Sequence, residues 1–265
     1  MRIMTFNLLF DSGGDEPFAW HNRRDVVDRV VRRYRPHILG TQEGMAHQLA
    51  FLADRLAPDY GMVVEGRTWD DTSQYPTLFY RVDALDLLET GECWLSKTPT
   101  VHLSKDWNSG FPRMMNYGVF CERETGRRFI ALVTHLDHIS DEARLEQARL
   151  VGSWLVSRPE PAVVLGDFND EPGSAVHRAL TGDYRLMTDS WQELALTEND
   201  QSMTRHDGRG TPKKYRMDWI LHSPEFAVSD AAVLRDNMNG LYPSDHYPYL
   251  AELVWKSDLP GRQDS

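Results

Sequence analysis

The run Ala162-Val163-Val164-Leu165-Gly166-Asp167-Phe168-Asn169 decides how the rest of the chain is read. Its first four residues are apolar, partly β-branched and flanked by prolines, the mark of a short strand buried on both faces. Asp167 and Asn169 leave the end of that strand two residues apart, so alternation points them to one side. A carboxylate and an amide carried out together by a rigid strand suit the orienting of a water and a phosphoryl oxygen. The competing reading is an Asx turn that only closes the strand. Four other stretches that end in the same manner favour the first.

Working upstream, Arg128 to Thr134 reads as a strand ending in His135-Leu136-Asp137-His138, paired as a hairpin with Asn116 to Arg123 around Thr125-Gly126. Ser140 caps a helix whose Ala148, Val151 and Leu155 face inward and which ends near Pro159. Near the N-terminus, Arg2 to Leu9 forms a strand carrying Asn7, and Gly13-Gly14 opens a loop. A helix capped by Asn22 repeats Val27, Val30, Val31 and Tyr34 until Pro36 stops it. Ile38 to Glu43 is a second buried strand tipped by a carboxylate. Met45, Leu49, Leu52 and Leu56 then form a helix stripe ending before Pro58. Short strands follow at Met62–Glu65, Thr77–Arg81 and Leu85–Leu88, the last before a turn at Thr90-Gly91. Trp94 to Pro112 reads as a long irregular surface segment, with Trp107 a candidate for lining a cleft.

Downstream, Ser174 to Leu180 is a short helix and Trp191 lies in a partly ordered region. Residues 197–216 are polar, and their Arg205, Arg209, Lys213, Lys214 and Arg216 form either a solvated loop or a phosphate funnel. Met217 to Leu221 is a strand bearing Asp218. Ser244-Asp245-His246 precedes a last strand, Tyr247 to Val254. No repeat or linker divides the chain, so residues 1–256 count as one domain and 257–265 as a disordered tail.

Composition narrows the function. A hydrophobic share of 41% across 265 residues permits a sizeable core, while a net charge of −11 argues against attachment to nucleic acid or anionic membrane by long-range attraction. Cys93 and Cys121 fall in strand-like stretches and are expected reduced and buried, a bridge between them being the other option. No run of eighteen apolar residues occurs and no leader pattern opens the chain, which points to a cytoplasmic protein without a membrane span. His21, His47, His102, His177, His206 and His222 read as surface or packing histidines, and Trp154, Trp191, Trp219 and Trp255 as core. His138 is expected to support the site from behind.

Asn7, Glu43, His135, Asp167, Asn169, Asp218, Asp245 and His246 all lie at or near strand ends, where open α/β sheets build their sites. Converging carboxylates repel one another, and a bound cation removes that repulsion. Oxygen donors of this kind suit a hard ion, Mg²⁺ or Mn²⁺, better than zinc, which no cysteine or His-x-x-x-His set accompanies.

Thr5-Phe6-Asn7, Thr41-Gln42-Glu43, Thr134-His135-Leu136-Asp137-His138, Gly166-Asp167-Phe168-Asn169, Arg216-Met217-Asp218 and Ser244-Asp245-His246 follow one another in an order and spacing that resembles the endonuclease/exonuclease/phosphatase (DNase I-like) superfamily. The resemblance extends to about Trp255. It implies a four-layer α/β sandwich, two packed mixed β-sheets flanked by helices, and metal-dependent hydrolysis of phosphoesters, with a phosphodiester of nucleic acid or of a small molecule as first expectation. A phosphomonoesterase, or an inactive binding protein on the same scaffold, are the alternatives, and a monomer is expected. By this resemblance Glu43 is the direct metal ligand, with Asn7 and Asp245 completing the shell or holding its waters. Asp218 orients His246 as general base, a role shared in the family with the aspartate matching Asp167. Asp167 and Asn169 align the nucleophile and stabilise developing charge. His135 contacts the phosphate and assists the leaving group, and Arg113 contacts the phosphate. Two departures stand out. Pro36-His37 replaces the usual Pro-Asp, and Gln74 occupies the place of a glutamate that supports the histidine matching His135, with Asp137 as a substitute.

Overall fold

The computed structural model describes residues 1–13, 18–183 and 187–259. The chain runs through β1 (Arg2–Asn7), α1 (Trp20–Tyr34), β2 (Ile38–Gly44), α2 (Ala46–Leu56), β3 (Tyr60–Met62), β4 (Tyr75–Arg81) and β5 (Leu85–Trp94). It continues through β6 (Met114–Glu122), β7 (Arg128–His135), α3 (Asp141–Val156), β8 (Ala162–Asp167), α4 (Ala175–Arg178), β9 (Thr188–Asp189) and α5 (Ser190–Glu193). The last strands are β10 (Arg205–His206), β11 (Pro212–Lys213), β12 (Asp218–His222), β13 (Phe226–Val233) and β14 (Tyr249–Trp255).

Two six-stranded mixed sheets result, ordered β13-β14-β1-β2-β4-β3 and β5-β6-β7-β8-β12-β9, with β10 and β11 as a separate hairpin. The central pairs β1–β2 and β7–β8 are parallel; the other pairings are antiparallel. Alternate residues of one strand feed different cores, which is why these strands read as continuous apolar runs. Ile3, Ile38, Val133, Val163, Leu165, Ile220 and Ala251 fill the space between the sheets. Leu132, Val164 and Trp219 face outward under Ala148, Val151 and Leu155 of α3. Met4, Phe6 and Leu39 face outward under Val27 and Val31 of α1 and Leu49 and Leu52 of α2. The expected four-layer sandwich is therefore present. Gly40 lets the sheets meet closely, since a Cβ there would lie 2.6 Å from Leu165 and 2.9 Å from Val133.

The strand polarities put the motif residues at one edge. His135 pairs with Asp167 across the parallel β7–β8 ladder, and Asp167 pairs with Asp218 where antiparallel β12 begins. Asn7 closes β1 beside Gln42 of β2.

Several local expectations shift. α1 starts at Trp20 rather than after Asn22, because packing sets its beginning: Trp20 meets Phe51 edge-on at 5.7 Å and Arg23 is fixed to loop carbonyls. β5 runs straight through Thr90-Gly91, where a turn was expected. Gly91 instead makes room for the Tyr117 side chain opposite, whose hydroxyl would lie 2.6 Å from an added Cβ. β3 and β4 each begin two residues before the expected position. β13 has no counterpart in the sequence reading, since Ser229-Asp230 and the bulge between Val228 and Asp230 break its alternation. Trp191 sits in α5, 8% exposed. The segment after Trp255 forms a 3-10 turn, Lys256–Asp258, with Asp258 gripped by both terminal nitrogens of Arg127 at 2.7 and 2.5 Å. The rest of the expected tail, 260–265, and Gly14 lie outside the described residues. Both cysteines are free and half-buried. Among the described residues no helix is long and apolar enough to cross a membrane.

Candidate active site

Gly166 is the hinge on which the site turns: a Cβ there would come within 2.1 Å of the Thr134 carbonyl oxygen, so only glycine lets β8 lie against β7. The next residue, Asp167, is 1% exposed. Its Oδ1 accepts from the Asn169 backbone N–H at 2.9 Å, so the Asx turn does exist. Its Oδ2 accepts from Asn7 Nδ2 at 3.0 Å and lies 3.5 Å from His135 Nε2 and 3.9 Å from His246 Nε2. Turn and site are thus the same device. Asn169, in the left-handed region at φ 52°, folds its amide back to donate to Leu136 O at 3.0 Å and to His135 Nε2 at 2.9 Å.

Glu43 also occupies left-handed backbone, φ 59°, within the bulge between Thr41 and Gly44, and this turns its carboxylate toward β1. Oε1 accepts from Asn7 Nδ2 at 3.0 Å and Oε2 from the Phe10 N–H at 3.1 Å. Asn7 therefore bridges the two carboxylates with its amide, while its own Oδ1 accepts from Leu9 N. In this arrangement Asn7 sets the spacing of the two carboxylates from behind the residues that line the cleft.

His246 donates from Nδ1 to Asp218 Oδ2 at 2.9 Å, as expected of an oriented imidazole. Asp218 is itself fixed by Thr204, whose Oγ1 accepts from the Met217 and Asp218 N–H groups. Asp245 stands at the rim, 3.8 Å from Arg205 Nε. His135 is buried; its Nε2 accepts from Asn169, and its Nδ1 has no partner among the described residues. Asp137 does not reach it. That carboxylate is fully used by Ser109 Oγ and the N–H groups of Gly110, Ile139 and Ser140, at 2.7–2.9 Å. Gln74 lines the cleft but makes no hydrogen bond to His135.

The cleft has a volume of about 220 Å³. Glu43, His135, Asp167, Asn169, Asp245 and His246 form its acidic and imidazole floor, and Arg113, Arg205 and Lys214 bring positive charge to it. Asn7 and Asp218 stand behind the wall. The polar stretch 197–216 therefore divides: Arg205 and Lys214 face the cleft, whereas Arg216 is buried between Asp189 at 2.9 Å and Glu198 at 2.7 Å. Trp107 does not line it; its ring receives Lys97 at 5.5 Å. Phe10, Phe111 and Gln74 do, and so does His138, which is in the wall itself, stacked on Phe111 and 3.2 Å from Arg113 Nη2. The proximity of Phe111 and Arg113 in sequence was the one available signal for that wall. Arg23 gave none, yet its guanidinium binds the carbonyls of Leu8, Leu9, Phe18 and Pro243 and so joins the loops that carry Phe10 and Asp245.

Electrostatics follow from burial and crowding. Burial, then the neighbouring Asp218, raises the Asp167 carboxyl to about 7. For His246, burial favours the neutral ring but is outweighed by Asp218, with help from Asp167 and Asp245, and the group rises to about 10. Burial and the Arg113 cation hold His135 neutral, well below the usual histidine range. Glu43, His135 and Asp167 each present a ligand atom, all within 4.8 Å of one another. Two carboxylates and an imidazole gathered in this way form a set that a hard divalent cation would fit.

The chain matches the model of the endonuclease/exonuclease/phosphatase family over residues 4–246. A search of curated proteins gave no match. Among solved structures, the mannosyl-6-phosphatase of Bacteroides thetaiotaomicron VPI-5482 is similar at 30% identity and TM-score 0.85, covering 96% of this chain and 100% of that one. An endonuclease/exonuclease/phosphatase from Bacteroides vulgatus is 29% identical with TM-score 0.87, covering 96% and 98%. The human Nocturnin catalytic domain, with bound sulfate anion, shares the fold at 20% identity and TM-score 0.75, covering 97% and 93%. The chain belongs to the endonuclease/exonuclease/phosphatase family, whose members are generally phosphoester hydrolases and usually depend on a divalent metal.

Proposed function

We propose that this chain, as one catalytic domain over residues 1–256, hydrolyses phosphoesters of small molecules with Mg²⁺ or Mn²⁺, and prefers monoesters to diesters. The observation that carries this reading is the cleft itself. It is compact, at about 220 Å³, and sets Arg113, Arg205, Lys214 and His246 around a carboxylate floor. Four positive or protonated groups suit a dianion with three non-bridging oxygens better than a diester, which carries one charge on two. A long polyanion would also meet a protein of net charge −11. The 30% identity to a mannosyl-6-phosphatase supports the same choice. It reverses the order of preference drawn from the sequence.

Held by Glu43 and Asp167, with Asp245 at the rim, a divalent cation would neutralise charge on the phosphoryl oxygens. The chain supplies the rest. His246, kept protonated by Asp218, donates from Nε2 to a phosphoryl oxygen and so stabilises charge as it develops. Asp167, 3.9 Å from His246 Nε2 and held by Asn7 and the Asn169 N–H, is placed to align the attacking water, and the base role falls to the Asp167–His246 pair. Asn7 fixes the spacing of Glu43 and Asp167. Arg113, buried and cationic, faces the phosphate. His135 is neutral with Nε2 engaged, which suits a positioning contact through Asn169 rather than proton donation to the leaving group.

The test compares p-nitrophenyl phosphate with bis(p-nitrophenyl) phosphate, with added Mg²⁺ or Mn²⁺, in the wild type, Glu43→Ala and His246→Ala. The expected result is metal-dependent turnover favouring the monoester and lost in both variants. Undiminished turnover in both variants, or in excess chelator, would refute the assignment. A binding protein without catalysis predicts no turnover at all.

A further inference from the structure

The catalytic cleft continues into a smaller recess of about 50 Å³, which shares Gln74, Phe111 and Arg113 with it and adds Thr72, Ser73 and Leu103. We infer that this recess is the leaving-group subsite, and that it selects a neutral, hydroxylated ring stacked on Phe111 and hydrogen-bonded by Gln74. The inference rests on the phosphoesterase reading of the adjoining centre.

Phe111 is 50% exposed and lines both the cleft and the recess, where a bound ring could reach it. It is nevertheless held firmly. His138 stacks on it at 5.7 Å and 19°, and the Arg113 guanidinium lies 5.7 Å from its centroid. Its carbonyl accepts from Ser109 Oγ, and Asp137 anchors Ser109 and Gly110 just before it. A rigid, exposed aromatic face beside a reaction centre binds a ring with little loss of conformational entropy. Gln74 is half-buried at the junction of both cavities, and among the described residues no hydrogen bond engages its side chain. A partly desolvated amide with free donors and acceptors calls for a polar partner. Among the described residues no carboxylate lines the recess, and the one cation that does, Arg113, reaches toward His138 in the catalytic cleft. Apart from that guanidinium, which is turned to the phosphoryl side, the described lining is uncharged, which favours a hydroxylated group over an anionic one. One aromatic face, with no second aromatic ring in the recess among the described residues, suits the C–H face of a saturated sugar ring, whose positive edge meets the π-cloud.

The test measures kcat and KM for a hexose 6-phosphate, cyclohexyl phosphate and glycerol 3-phosphate in the wild type, Phe111→Ala, Phe111→Tyr and Gln74→Ala. Phe111→Ala is expected to lower kcat/KM at least ten-fold more for the two cyclic substrates than for glycerol 3-phosphate, chiefly through KM, with recovery in Phe111→Tyr. Gln74→Ala is expected to penalise the hexose phosphate several-fold more than cyclohexyl phosphate. Wild-type turnover with equal losses across the three substrates overturns the subsite alone. Absence of turnover on any phosphoester overturns the catalytic reading, and the subsite with it.

Discussion

Replacing Asp218 by Asn removes the main charge that keeps a proton on His246. The rise of that imidazole from 6.5 to about 10 corresponds to roughly 5 kcal/mol of preference for the charged ring, and it is reached against burial. Without the carboxylate, burial is opposed only by the more distant Asp167 and Asp245, and the midpoint should fall by about 3 pH units or more, to 6.5 or below. The amide oxygen can still accept from Nδ1, so the ring stays in place while its charge at neutral pH is lost. The assay is a pH titration of the imidazole resonances in metal-free protein, run beside kcat measurements. Wild-type His246 is expected to titrate near 10, and Asp218→Asn to lower kcat on the order of 10²–10⁴-fold with the fold retained. The sign for stability follows. His246 has its folded pKa raised, so the stability it contributes is complete below about 6.5 and lost as pH rises through about 10. An unchanged midpoint in the variant would refute the electrostatic account of this pair.

Other consequences are equally specific. Asp167→Asn relieves the like charge facing Asp218, so metal-free protein at pH 8 should gain roughly 1–2 kcal/mol of stability while turnover disappears; a lower melting temperature would count against it. Arg23→Ala leaves four carbonyls without their shared donor and should cost about 3 kcal/mol, with a parallel fall in kcat/KM, readable by denaturant titration and steady-state kinetics. Gly166→Ala drives a methyl into the Thr134 carbonyl, which the paired backbone cannot vacate, and should cost more than about 3 kcal/mol or abolish folding. His37 and His206 are held neutral, mainly by burial, with midpoints near 4, so the unfolded chain takes up protons first and stability falls as pH drops from about 6.5 to about 4. His37→Asn keeps an acceptor for Arg2 N–H and should flatten that slope; identical slopes would contradict the reading.

Strand ends were legible because each carries two independent marks, an apolar run buried on both faces and a polar residue at its tip. Asp167, Glu43, His135, Asp218 and His246 meet at one edge for that reason. Their mutual geometry was not legible. The Glu43 carboxylate is aimed by a bulge and a left-handed backbone, and Asn7 turns its amide nitrogen toward both carboxylates while its oxygen accepts from Leu9 N–H. Neither follows from spacing. The proton on His246 depends on how many carboxylates surround it at once, which only the packed structure states. Phe111 and His138 were obscured because they come from irregular segments, where side-chain direction has no period to read. β13 was missed for the opposite reason: its strand is regular enough, but a bulge and exposed polar residues hide its alternation.

The account stands on one divalent cation drawn to the carboxylates that converge at the strand edge. Anomalous diffraction from crystals soaked in Mn²⁺ tests this most directly. A single strong peak is predicted between the Glu43 and Asp167 carboxylates, absent in Glu43→Ala crystals soaked in the same way. Density confined to surface carboxylates, with none in the cleft, would contradict it.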